Sequence, residues 1–453
     1  MKKTAAYMGK NVLVLGLGKS GYAAAKLMHA LGANVTVNDC GDLSGNAHAV
    51  ELSGLGVVIV DGGHPLNLLD GTDLLIKNPG IPYRNPLIQA AAARRLPIIT
   101  EVEIAGLLSE APLIGITGSN GKTTTTMLIG EMLKGSTKAP IVAGNIGTAL
   151  TAVVESATEK QVIVAELSSF QLLGTKRFHP HIAVVLNIFD HHLDYHGTVE
   201  SYAQAKAKIT ANQTAADVLV YNADSSRVVQ YIAAHSKAQK VPFSATTIQE
   251  QGAYVKDGSI YFKKEPIIDC TALGLPGEHN LQNALAAVAC ARTAGTPAGY
   301  IAEVLRTFTG VRHRLQYVGQ FQGRSVYNDS KATNCLATTE ALKAFPGKQI
   351  VLLAGGLDRG NSFDALIEPL QHAAVKAVLL FGQTAQKLEN ACRAAGIATV
   401  IHVNDVAAAV PEAFRLSQPG DIILLSPACA SWDQYPSFEV RGDIFIKEVN
   451  TFR

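Results

Sequence analysis

One stretch of the 453-residue chain constrains its fold more than any other: Leu113-Ile-Gly-Ile-Thr-Gly-Ser-Asn-Gly-Lys-Thr-Thr-Thr-Thr126. A short apolar run, Leu113 to Ile116, enters a glycine-rich turn, and an apolar-periodic segment with Met127, Leu128, Ile129 and Leu133 follows. The order predicts strand, loop and helix start, the layout of a phosphate-binding loop. Gly118 and Gly121 let the backbone curl so that its N–H groups, those of Ser119 and Asn120 included, turn toward phosphate oxygens. Lys122 reaches the terminal phosphates as a point charge, and Thr123, followed by Thr124, sets a hydroxyl on a bridging magnesium ion. The spacing is shorter than the standard motif, with Ile116 where a first glycine is expected. On Gly-Lys-Thr alone, a solvated lysine in a strand-to-helix turn reads equally well. The strand before the turn and the helix after it favour a nucleotide site.

A length of 453 residues leaves room for two to four domains. Hydrophobic residues make up 47% and charged residues 17%, so the chain is globular. A net charge of +2 without a basic block argues against nucleic acid as a main partner. Six cysteines without C-x-x-C spacing read as reduced thiols. The apolar run Val12–Leu15 is a buried strand rather than a signal peptide, and no run approaches the ~18 apolar residues of a membrane helix. A soluble, cytoplasmic enzyme with no membrane association is expected.

At the N-terminus, Asn11–Leu15 predicts a strand, Gly16-Leu-Gly-Lys-Ser-Gly21 a tight turn, and Ala23, Leu27, Met28 and Leu31 an amphipathic helix. Val35–Asp39 completes a β-α-β unit with the glycine spacing of dinucleotide folds, and Asp39 stands near where such folds bind a ribose hydroxyl. A diphosphate-bearing ligand fits this unit better than NAD. Strands at 57–60, 74–76 and 98–99 follow, and Asn78-Pro-Gly80-Ile-Pro is a loop at a strand's carboxyl end. A second unit carries strands at 113–116, 161–165, 183–186 and 218–221, then a hairpin turning at Asp257-Gly258, and an Ala-rich helix opened by Pro276-Gly277. A third starts near Val311, with strands at 325–328, 349–353, 377–381, 399–403 and 421–425. The alternation predicts α/β architecture in three domains: an N-terminal Rossmann-like domain (1–98), a central P-loop ATPase-like domain with a doubly wound, mainly parallel sheet (99–310) and a C-terminal Rossmann-like domain (311–453).

Several strand ends carry chemistry. Glu166 beside the phosphate loop can hold magnesium, although a lone strand-end carboxylate more often faces solvent. The run Asp190-His-His-Leu-Asp-Tyr-His196 is hard to explain as core; His192 suits a magnesium–phosphate site better than a zinc site. Lys206 and Lys208 on one helix read, by themselves, as a solvated face. Asn145 reads as a polar loop residue or a left-handed turn. Arg312-His-Arg314, Asn328-Asp-Ser-Lys-Ala-Thr-Asn334, Gly355-Gly-Leu-Asp-Arg359 and Leu425-Ser-Pro-Ala-Cys-Ala-Ser431 all sit at strand edges and predict a substrate cleft along one rim.

Together Thr117–Thr124, Glu166-Leu-Ser-Ser-Phe-Gln, His192-Leu-Asp, His313-Arg314, Asn328–Asn334 and Leu425–Ser431 resemble the Mur ligases, ATP-dependent amide-forming enzymes of cytoplasmic peptidoglycan precursor synthesis. The glycine fingerprint, the Asn78-Pro-Gly loop and Ser-Pro-Ala-Cys-Ala-Ser are most similar to the branch that adds D-glutamate to UDP-N-acetylmuramoyl-L-alanine. The Asp-Asn-Pro-Arg string of the diaminopimelate-adding branch is absent. The resemblance implies that Lys19, Ser20, Asp39, Asn78, Gly80, Asn145 and His192 serve the UDP substrate. It gives Gly118–Thr124, Asn283, Arg314 and Asp329 to ATP, with His313 also facing the adenine nucleotide. Lys331, Thr333, Arg359, Ser431 and Phe438 would take D-glutamate, Arg359 standing where some relatives have lysine. Two magnesium ions would be held by Thr123, Glu166, His192 and Lys206, the last as a carbamate. Lys122, His192 and Lys206 would be the catalytic residues, in an enzyme expected to be monomeric. The third domain would close over ATP. Rival readings are a folylpolyglutamate synthase or an alanine-adding relative, an NAD-dependent oxidoreductase using Gly16–Gly21, and a nucleotide-gated binding protein.

Overall fold

A computed structural model describes every residue except His191, Pro276 and Asn361, so the predicted roles of His191 in the histidine run and of Pro276 at the helix start lie outside the described residues. The chain divides into two compact units, Met1–Phe308 and Thr309–Arg453. The described strands form three sheets.

The first unit holds two of them. β1 (Asn11–Leu15), β2 (Asn34–Asn38), β3 (Val58–Val60), β4 (Leu74–Lys77) and β5 (Ile98–Ile99) form a sheet of order β3-β2-β1-β4-β5. Its described ladders are parallel, and β1 is apolar and buried from Val12 to Leu15, as a strand covered on both faces must be. The second sheet contains β6 (Leu113–Thr117), β7 (Ala139–Gly144), β8 (Gln161–Glu166), β9 (Ile182–Val185), β10 (Val218–Asn222), β11 (Gln239–Ser244), β12 (Ala253–Lys256), β13 (Ser259–Phe262) and β14 (Glu265–Asp269). Its order is β14-β13-β12-β11-β10-β9-β6-β8-β7, parallel except for the antiparallel hairpins at β12–β13–β14. The hairpin turns at Asp257-Gly258 as the sequence predicts, with φ positive at both residues.

The second unit contains β15 (Gln316–Phe321), β16 (Arg324–Asn328), β17 (Ile350–Gly355), β18 (Val375–Phe381), β19 (Thr399–His402) and β20 (Ile422–Leu425), in the order β15-β16-β20-β17-β18-β19. Only β15 runs antiparallel to its neighbour. Because β16, β20 and β17 are adjacent and parallel, the loops leaving their carboxyl ends share one edge. Among the described residues no helix is long and apolar enough to cross a membrane.

Candidate active site

In the second sheet β6 lies between β8 and β9, all parallel. Three carboxyl-end segments therefore stand side by side: the phosphate loop after β6, Glu166 closing β8, and Asn187–Asp190 after β9. Gly121, at φ 81°, caps the helix Lys122–Leu133. A Cβ there would come within 2.2 Å of Asn283 Oδ1, so only glycine admits this approach of the helix Glu278–Thr293.

The loop departs from expectation in one respect. The Ser119 amide donates to Asn187 O at 2.9 Å and the Asn120 amide to Asn187 Oδ1 at 2.8 Å. These two amides are directed at the β9 loop rather than toward a phosphate, because Asn187 crosses directly beside them. Lys122 is not a solvated lysine: its Nζ donates to Gly118 O at 2.9 Å and Ser119 O at 2.7 Å, folding the ammonium over the loop.

Glu166 is 2% exposed, which excludes a solvent-facing strand end. Its carboxylate accepts from Thr123 Oγ at 2.7 Å and from Asn145 Nδ2 at 2.8 Å. Asn145 is absent from the positive-φ residues, so it is not a left-handed turn; its side chain belongs to the Glu166 group. Lys206 is 1% exposed, which overturns the solvated-face reading. Its Nζ donates to Gly118 O at 2.8 Å and lies 4.5 Å from the Tyr202 ring centroid. Burial holds the Lys206 amine well below the usual lysine range; Lys122 acts in the same sense and Glu166 opposes it. His192 is exposed, with φ 56°, its ring edge-on to Phe170 at 4.9 Å. Tyr202 and Asn187 were not singled out by sequence, yet Tyr202 OH lies 3.1 Å from Ser119 Oγ. Among the described residues no group of three or more His, Cys, Asp or Glu side chains stands ready to hold a metal ion. A hard cation here would take its remaining ligands from phosphate and water, the usual habit of magnesium.

At the edge of the first sheet, Gly21 packs so tightly that a Cβ would meet Gly16 O at 1.9 Å. Asp39 turns inward: its carboxylate accepts from the amides of Leu17 at 2.7 Å and Gly41 at 3.0 Å and so ties the glycine turn to β2. Asn78 Nδ2 reaches Ser20 Oγ at 3.3 Å and its Oδ1 takes the Gly80 amide at 3.1 Å, while Lys19 is exposed. Lys77, missed by sequence, is 1% exposed and donates to Pro79 O and Tyr195 OH, both at 3.3 Å. It joins the Asn78–Ile81 loop to the Leu193–His196 helix. Burial pushes its amine down to about 8.

In the second unit Asp329 is 8% exposed and accepts from the Leu315 amide at 3.0 Å and Ser426 Oγ at 3.1 Å. Burial pushes its carboxyl up to about 7. His313 is buried at φ 62° beside Asn328 Nδ2 at 3.0 Å, and Arg314 follows it. A cavity of about 470 Å³ is lined by residues that include Thr333, Asn334, Arg359, Ser362 and Cys429. Lys331, Ser431 and Phe438 are outside that lining; Lys331 Nζ sits 5.0 Å from the Phe438 ring centroid, and the buried Ser431 hydroxyl has no hydrogen-bond partner among the described residues. Arg359 lies 4.9 Å from the Trp432 ring centroid.

The second unit also contains an organiser that sequence reading missed. Arg441, fully buried, donates to Ser330 Oγ, Ser330 O, Gly355 O and Cys429 O at 3.0, 2.8, 3.3 and 3.0 Å. One guanidinium thus pins the loops after β16 and β20 to the carboxyl end of β17. The signal was present: Arg441, Phe445 and Val449 recur every four residues on the buried face of the helix Phe438–Val449.

Three family profiles match the chain: "Mur ligase MurD-like, N-terminal domain" at residues 10–100, "Mur ligase middle domain" at 116–291 and "Mur ligase, glutamate ligase domain" at 313–429. Proteins named UDP-N-acetylmuramoylalanine--D-glutamate ligase are similar over full length. That of Geobacillus sp. (strain WCH70) is 57% identical over 454 residues, covering 100% of both chains. That of Bacillus mycoides (strain KBAB4) is 55% identical over 451 residues, covering 99% of both. Among solved structures, UDP-N-acetylmuramate-alanine ligase MurC of Thermotoga maritima is 20% identical with a TM-score of 0.55, over 98% of this chain and 100% of that one, which bears on the fold alone.

Proposed function

This chain belongs to the Mur ligase family, and from that premise we propose that it is an ATP-dependent ligase adding D-glutamate to UDP-N-acetylmuramoyl-L-alanine in peptidoglycan precursor synthesis. The reading is supported most directly by full-length identity to enzymes of that name. On this reading residues 1–98 take the UDP end, 99–310 take ATP and 311–453 take the amino acid, in a cytoplasmic monomer working on small molecules.

A carboxylate resists an amine because it is anionic and lacks a leaving group. Transfer of the ATP γ-phosphoryl group to the alanyl carboxylate gives ADP and an acyl phosphate. The D-glutamate amine then attacks the acyl carbon, the amide bond forms and inorganic phosphate departs. Lys122 sets its ammonium against the γ-phosphate, as its place on the loop fits. Thr123 and Glu166 would hold one magnesium ion with the phosphates, and His192 with carbamylated Lys206 a second. The Thr123–Glu166–Asn145 group fits such a cation, because the buried Glu166 carboxylate receives its two hydrogen bonds from neutral donors, the half-buried Thr123 hydroxyl and the exposed Asn145 amide. Magnesium supplies positive charge that offsets what builds on the transferring phosphoryl oxygens.

Carbamylation of Lys206 joins its neutral amine to carbon dioxide and releases one proton. The lowered amine basicity supports it, since only the neutral amine has the lone pair for that bond. Asn283, Arg314 and Asp329 serve the adenine nucleotide, with Thr124 in the phosphate loop; Ser119 and Asn120 join it on this reading once their amides leave Asn187. Lys19, Ser20, Asp39, Asn78, Gly80, Asn145 and His192 serve the UDP substrate. Lys331, Thr333, Ser431, Phe438 and Arg359 take D-glutamate, Arg359 offering a two-pronged fork to a carboxylate. The buried, unpartnered Ser431 hydroxyl supports a polar ligand there.

The test is ADP release with UDP-N-acetylmuramoyl-L-alanine, offered D-glutamate and then L-glutamate. Turnover with the D form alone is expected. Release that does not depend on glutamate, or that prefers the L form, rejects the assignment.

A further inference from the structure

The loops at the carboxyl edge of β1, β2 and β3 are laced into one surface. The Gly16 amide donates to Asn38 O at 2.7 Å, the Asp39 amide to Val60 O at 3.1 Å, and the Gly62 amide to Gly41 O at 3.2 Å. In open α/β sheets ligands lie outside this edge, with phosphates at the glycine turn and helix start. The nucleoside of a diphosphate anchored at Gly16–Gly21 then extends over the β2 and β3 loops, where His64 sits half-buried.

The hydrogen-bond pattern around His64 specifies its tautomer. Asn38 is fully buried, and its Nδ2 donates to Val60 O at 2.9 Å and Gly63 O at 2.7 Å. Both partners are carbonyls, which only accept, so the amide orientation follows from the pattern. Asn38 Oδ1 is therefore the atom 2.6 Å from His64 Nδ1, and Nδ1 carries the proton. In the neutral ring Nε2 is then a bare acceptor.

We propose that His64 is a specificity-determining residue for the nucleobase: its Nε2 accepts a hydrogen bond from the N3–H of uracil. The inference rests on the reading that the first domain takes UDP. Uracil presents a donor at N3, whereas cytosine presents a bare nitrogen that would face another lone pair. A neutral ring whose Nδ1 proton is tied to Asn38 has only an acceptor to offer at Nε2 and therefore rejects the cytidine analogue.

The test measures dissociation constants of UDP and CDP for the full-length wild type, His64→Ala and His64→Asn by calorimetry. Asparagine keeps an amide nitrogen to meet Asn38 and lacks the distal acceptor, so it guards against a folding defect in the alanine variant. The wild type is expected to favour UDP by about tenfold, the worth of one hydrogen bond with its mismatch penalty, and both variants to fall to about twofold or less. UDP binding with an unchanged preference in either variant, or equal weakening of both nucleotides, overturns the role of His64 and leaves the UDP reading standing. If the wild type binds neither nucleotide, the UDP reading of the first domain falls, and this inference with it.

Discussion

Thr123 donates its hydroxyl to Glu166 at 2.7 Å, across the gap between the phosphate loop and the end of β8. This bond closes the carboxyl edge of the central sheet where a magnesium–phosphate group would enter, and the Thr123 hydroxyl and Glu166 carboxylate would be the residues to hold the cation. Glu166→Gln preserves shape and removes the charge; its one oxygen can still accept from Asn145, while the Thr123 hydroxyl turns to accept from the new amide nitrogen. It is expected to weaken metal activation strongly, raising the magnesium concentration for half-maximal turnover about tenfold or more, with no more than ~1 kcal/mol lost in stability. Unchanged magnesium dependence would remove Glu166 from the metal site.

Lys122→Ala takes away the ammonium folded over Gly118 and Ser119. Turnover should fall on the order of 10³-fold or more, the scale of losing one preorganised electrostatic donor. Near-normal turnover would refute its phosphate role.

Lys206→Ala removes a buried amine rather than a solvated one. Activity should collapse and return in part with added short carboxylates, which restore an anion in the vacated space. Retained activity without rescue would exclude Lys206 from the site.

Arg441→Ala strips the donors from Ser330 O, Gly355 O and Cys429 O together. Buried carbonyls left unpaired cost about 1–3 kcal/mol each, so a loss of several kcal/mol is expected by denaturant titration of the full chain. Arg441→Lys, with one point donor in place of a fork, should fold and raise the KM for D-glutamate more than that for ATP. Equal effects on both would mean that Arg441 does not organise the amino-acid loops.

Glu101 is 2% exposed, and one of its carboxyl oxygens has no hydrogen-bond partner among the described residues. Burial raises its pKa from 4.5 to about 7, with the Thr151 and Leu150 hydrogen bonds opposing. A carboxyl raised on folding contributes stability that is fully present below its unfolded pKa and lost as pH rises through its folded one. Wild type should therefore lose stability relative to Glu101→Gln between pH 5 and 8, by about 1–3 kcal/mol, in paired unfolding curves. A difference independent of pH would show that Glu101 does not ionise in that range.

Much of the fold was legible because buried parallel strands such as Leu113–Thr117 and Ile350–Gly355 are continuous apolar runs. β11, β14 and β15 were not. β11 contains Pro242 and β14 contains Pro266, a residue type that weakens the strand signal in a sequence. Pro242 is tolerated because the β11–β12 ladder begins only at Phe243, so its missing N–H lies outside that pairing. β15 breaks alternation at Gly319, where its register with β16 shifts. In the site, residues at strand ends were visible as motifs, whereas Arg441, Asn187 and His64 act by reaching back to backbone or to an amide from other segments. That work depends on tertiary proximity, which no local pattern encodes.

The central claim is that the phosphate loop activates a carboxylate by phosphorylating it. The direct measurement is the fate of ¹⁸O placed in the alanyl carboxylate of UDP-N-acetylmuramoyl-L-alanine during turnover with ATP and D-glutamate. The account predicts that each inorganic phosphate released carries one oxygen from that carboxylate, seen as an isotope-shifted ³¹P resonance. Phosphate released without label while the amide forms would contradict it.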